Sequence, residues 1–195
     1  IMGMRVVLDF IPRTSARDSD LILDHPDWFY WIDAAGLQKY GPPKIEGLGF
    51  AQASVENLEK IYSSSQVKKH LSLFRPSPDR IAPERWTNFV KASRGKKEFL
   101  EVLAAEFGVI TPPGFSDWIN DNQPTWDDIT FLRLYRDHPV QSKKYVSADQ
   151  PPYVLFDVIK SSFFPGAEPA DDLWKSIESI MPFYNENFGV DGARL

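Results

Sequence analysis

Gly189–Leu195 reads GVDGARL, and it follows a stretch whose apolar residues recur at helical spacing. Leu173, Ile177, Ile180, Met181, Tyr184 and Phe188 fall on one face of a predicted helix over residues 171–188. Asp171 and Asp172 stand in its first turn, where carboxylates suit the positive end of the helix dipole, and Gly189 stands where a left-handed cap is common. Pro182 lies inside the pattern and predicts a kink near residues 178–182. With VDGARL beginning a strand, this end reads helix, tight turn, strand, which is half of a βαβ unit.

At the other end, Met4–Phe10 (MRVVLDF) is a short apolar run rich in β-branched residues that closes on an acid before Pro12. Such a run predicts a strand buried on both faces, as in parallel sheets. The stretch between the ends is far longer than the dozen or so residues, plus a helix, that a parallel crossover needs. It holds an aromatic segment (HPDWFYWID, residues 25–33) and a Gly/Pro loop (residues 40–50). A helix opens at Ser54 with Val55, Leu58, Ile61 and Tyr62 on one side, and two more are predicted over Glu84–Ala92 and Lys96–Phe107, the last stopped by Gly108. Asp127–Tyr135 and Tyr153–Ile159 favour strand.

Composition narrows the function classes. The chain has 195 residues, 43% of them hydrophobic and 25% charged, as expected of a chain that folds around a packed core. A net charge of −5, with no run of basic residues, gives no footprint for a phosphate backbone, so nucleic acid is not an expected partner. No apolar run approaches the roughly 20 residues that cross a bilayer, so no membrane partner is expected. Without cysteine there is no thiolate nucleophile, no thiolate metal site and no indication of compartment. His25, His70 and His138 have no paired spacing, which gives a histidine metal site little support. Asp18, Asp20, Asp24 and Asp27 lack the spacing of a calcium loop and read as a solvated acidic face. The GLG at residues 47–49 lacks the strand-turn-helix setting of a nucleotide fingerprint.

GVDGARL resembles the fourth-strand motif of the α-amylase superfamily, a Gly-x-Asp-Gly-x-Arg-apolar run leading into the catalytic aspartate. RVVLDFIPRTS, with HPDWF downstream, resembles the third-strand motif of the same superfamily. The resemblance implies an α/β fold, part of a (β/α)8 TIM barrel with a large inserted domain B. Residues 1–15 would be the third strand and its exit, 16–150 the inserted domain B-like region, and 151–195 the third helix and the start of the fourth strand. It implies a retaining glycosidase or transglycosylase acting on an α-glucan or maltooligosaccharide. The nucleophile would stand directly after Leu195 and the acid/base residue beyond it.

The resemblance gives Arg194 the place of the arginine two positions before the nucleophile, and Asp9 that of the acid ending the third strand. Both would support catalysis rather than perform it. The family's Asn and His, four and five residues after that acid, are replaced by Arg13 and Thr14. No cofactor is expected, and the family's calcium is left in doubt. Arg13, His25, Trp28 and Trp126 are the candidate sugar contacts, with Trp28 and Trp31 serving either as stacking platforms or as anchors of domain B to the barrel. The missing Asn-His pair also leaves open a non-catalytic carbohydrate-binding or interaction protein on an amylase-like fold.

Overall fold

The computed structural model describes residues 4–96, 98–137, 140–156 and 168–194. Its strands are β1 (Val7–Asp9), β2 (Thr14–Ala16), β3 (Trp31–Asp33), β4 (Phe74–Arg75), β5 (Val109–Ile110), β6 (Ile129–Phe131) and β7 (Gly192–Arg194). Its helices are α1 (Leu21–Asp24), α2 (Leu58–Ser63), α3 (Ser65–Leu71), α4 (Pro78–Ile81), α5 (Pro83–Ser93), α6 (Phe99–Phe107), α7 (Val140–Lys143) and α8 (Asp171–Phe188). The fold is a mixture of helix and strand. The two ends of the chain meet in one two-stranded sheet, where β1 and β7 run parallel in the register Val7–Gly192, Leu8–Ala193, Asp9–Arg194. Between them, β2 pairs with β6 and β3 lies between β4 and β5, all antiparallel.

The aromatic run through β3 divides the interior. Because successive side chains on a strand point to opposite faces, Tyr30 and Ile32 enter one hydrophobic cluster while Phe29 and Trp31 enter another. The first cluster gathers Leu58, Ile61 and Tyr62 of α2, Val67 and Leu71 of α3, Phe115, Phe131 and Tyr153–Phe156. The second gathers Trp86 and Phe89 of α5, Phe99, Leu103 and Phe107 of α6, and Leu173 and Ile177 of α8.

Local signals hold where they are short-range. Ser54 and Asn57 form a reciprocal capping box that opens the turn leading into α2, with the Ser54 amide donating to the Asn57 side chain at 2.8 Å. α6 stops at Gly108, whose φ of +69° is the left-handed conformation that glycine adopts without a Cβ penalty. α8 likewise ends on Gly189.

α8 continues through Pro182 to Phe188. Other expectations are corrected. Only Leu173 and Ile177 of the α8 apolar stripe are buried, and Phe183, Tyr184 and Phe188 pack on one another in the open. Met4, Val6 and Val7 are exposed rather than buried on both faces, since among the described residues β7 is the only strand beside β1. Of Asp127–Tyr135, only Ile129–Phe131 is strand. Tyr153–Phe156 are buried but not extended into a ladder, and residues 157–159 of that prediction lie outside the described residues. Tyr153–Phe156 pack into the first cluster with α2 and α3.

Candidate functional site

The parallel pairing of β1 and β7 sets Asp9 and Arg194 side by side at the carboxyl ends of their strands. The Arg194 guanidinium reaches the Asp9 carboxylate twice, Nε to Oδ1 at 2.8 Å and Nη2 to Oδ2 at 3.1 Å. This two-pronged geometry orients both groups, since a planar fork and a planar carboxylate match in only one arrangement. The pair is exposed, so its contribution to folding is no more than about 1 kcal/mol and its importance lies in orientation. The Phe10 amide donates to the Arg194 carbonyl at 2.8 Å and extends the pairing past the pair.

Asp191 secures the other end of the same two strands. Its Oδ2 accepts the Val6 amide at 2.7 Å, and its own amide donates to the Val6 carbonyl at 2.9 Å. The motif GVDGARL therefore carries two acid-mediated clamps, one at each end of the strand pair. Asp191 was not among the candidate residues, although it is the acid of the quoted motif.

Arg13 leaves β1 in the direction of β2 and lies between two partners. Its guanidinium faces Asp117 at 3.5 Å and stands 5.3 Å from the centre of the Phe131 ring. It is partly buried and held, and Asp117 is the partner that sequence reading did not find. Thr14 opens β2 opposite Phe131.

Trp28 is 4% exposed, and its ring lies 3.7 Å from that of His25 with 5° between the planes. Its indole N–H donates to Asp172 of α8 at 2.9 Å, and Arg136 donates to the other oxygen of the same carboxylate at 2.8 Å. The Trp28 contact first, and the Arg136 contact with it, hold the Asp172 carboxyl down to about 2. Trp28 thus offers no open ring face for a sugar; it ties α8 to the segment before β3. Trp31 is buried as well. Trp126 is half-buried, with its backbone paired to Gly114 and its ring against the first cluster.

The structure therefore joins Asp9 with Arg194, Arg13 with Asp117, and His25 with Trp28. Among the described residues no group of three or more His, Asp or Glu is placed to hold a metal ion. No described helix is long and apolar enough to cross a membrane. No family model matches the chain, and no curated protein matches it in sequence.

Proposed function

We propose that this chain is the central section of an α-amylase-type (β/α)8 barrel that acts on α-glucans by a retaining mechanism. The single observation that carries the reading is the Asp9–Arg194 pair at the carboxyl ends of adjacent parallel strands, the end at which barrel enzymes place their chemistry. Open apolar surface on both β1 and the second half of α8 also supports it, because parallel sheets are covered on both faces and these two elements lack that cover here.

In this reading, the carboxylate following Leu195 attacks the anomeric carbon and forms a covalent glycosyl intermediate. A second carboxylate protonates the leaving oxygen and then activates water or an acceptor sugar. Arg194 orients that nucleophile and keeps it ionised through charge-assisted hydrogen bonds, and Asp9 fixes Arg194. Arg13, held by Asp117, faces the substrate from the strand exit. No step is assigned to a cofactor.

The second reading is a carbohydrate-binding protein without turnover, favoured by Arg13 and Thr14 standing where the family's Asn-His pair would be. Proton NMR of maltooligosaccharides mixed with a polypeptide that carries this chain and whatever is encoded after Leu195 separates the two. The first reading expects the α-anomer of a shortened or lengthened product to form first. Line broadening without product supports the second, and neither effect contradicts both.

A further inference from the structure

A partly open recess on another part of the molecule collects arginines. It has a volume of about 220 Å³, and Arg75, Arg80 and Arg133 line it together with Ser77, Gln150, Asp27 and Asp149. Arg75 is already occupied: it pairs with Asp33 at 3.1 Å and donates to the Ser72 and Phe74 carbonyls. Arg80 and Arg133 differ. Among the described residues, neither has a carboxylate within ion-pair distance.

Arg133 is held in place by the chain on either side of its guanidinium. Its amide donates to the Trp28 carbonyl at 2.7 Å, and Nη2 donates to the Arg136 carbonyl. Burial is the largest influence lowering its pKa, and the Arg80 charge adds to it, with Tyr30 and Asp27 opposing. Two like charges, Arg80 and Arg133, face one recess, and Asp27 opposes their repulsion from a distance beyond that of an ion pair. A charge partly withdrawn from water in this way is stabilised by an ion of opposite sign beside it.

We propose that this recess binds phosphate, free or as a monoester, between Arg80 and Arg133. The volume lies below the roughly 300–1,000 Å³ of pockets for larger organic ligands and suits a small ion. A tetrahedral anion has oxygens enough for two bidentate guanidinium contacts, whereas one carboxylate serves a single fork.

Isothermal titration of inorganic phosphate into the 195-residue chain, with ionic strength held constant by chloride, tests the site. Saturable binding is expected in the wild type. Arg80→Gln, an exposed position that leaves the fold intact, weakens it about tenfold, the share of one charge-assisted contact. Arg85→Gln, on α5 over Phe107 and away from the recess, leaves it unchanged. Glycerol 3-phosphate binding more tightly than inorganic phosphate assigns an esterified ligand, and equal affinity assigns the free ion. Heat no greater than that of chloride, or equal affinity in wild type and Arg80→Gln, overturns the proposal.

Discussion

Lowering the pH from 6.5 to 4 is expected to remove about 3 kcal/mol of folding stability through His70 alone. The imidazole is 4% exposed, among Tyr40, Phe74 and Phe115, and its Nε2 donates to the Val154 carbonyl at 3.0 Å. Burial lowers its pKa to about 4, with the carbonyls of Val154 and Gly41 partly offsetting that effect. The sign follows from proton counts. Between the ordinary value of 6.5 and the folded value near 4, the unfolded chain binds a proton that the folded chain does not. Stability therefore falls as pH falls through that window, and this contribution stops changing below it. Urea unfolding at a series of pH values should show the wild type losing about 3 kcal/mol more than His70→Phe. Parallel curves for the two proteins would place His70 in contact with water.

Trp31→Ala is expected to destabilise the protein by about 3–5 kcal/mol, the range for deleting a large aromatic from a packed core. Trp31 is 1% exposed on the central strand of a three-stranded sheet, and its indole N–H donates to the Pro26 carbonyl at 2.7 Å. Alanine leaves a cavity between α5, α6 and the sheet. Trp31→Phe fills most of that space but leaves the Pro26 carbonyl without its donor, a loss of about 1–3 kcal/mol. Trp118 provides the contrast, being 37% exposed and stacked on Phe50 at the surface. Trp118→Ala should change stability by no more than about 1 kcal/mol. Denaturant midpoints that place Trp118→Ala at or below Trp31→Ala would contradict the division of the core by β3.

These two positions also show how far the sequence is legible. Helix ends were readable because capping is local: Ser54, Gly108 and Gly189 announce themselves within one turn. The pairing of β1 with β7 was readable because two short motifs carried it, even across 185 positions of separation in the Asp9–Arg194 contact. The aromatic segment at residues 28–31 was harder. An indole meets the same chemical needs on a sugar-binding surface and in a core, and only the tertiary packing that puts Trp28 and Trp31 in one cluster with α5, α6 and α8 places them inside. Tyr153–Phe156 misled for a related reason. A buried apolar run suggests a strand, but here side-chain packing, including the 2.9 Å contact between the Tyr62 and Tyr153 hydroxyls, buries it without a ladder. Asp117 beside Arg13 and Asp172 beneath Trp28 are contacts between distant segments that no local pattern encodes.

The reading as an α-glucan enzyme rests on Arg194 presenting a carboxylate to the anomeric carbon, and kinetics with maltooligosaccharides test it most directly. The polypeptide should carry this chain together with whatever is encoded after Leu195. Arg194→Lys retains the charge but loses the fork that grips Asp9, and it is expected to lower kcat/KM by about 100-fold, or roughly 3 kcal/mol of transition-state stabilisation. Equal kcat/KM in wild type and Arg194→Lys, or no turnover of any maltooligosaccharide by the wild type, would contradict it.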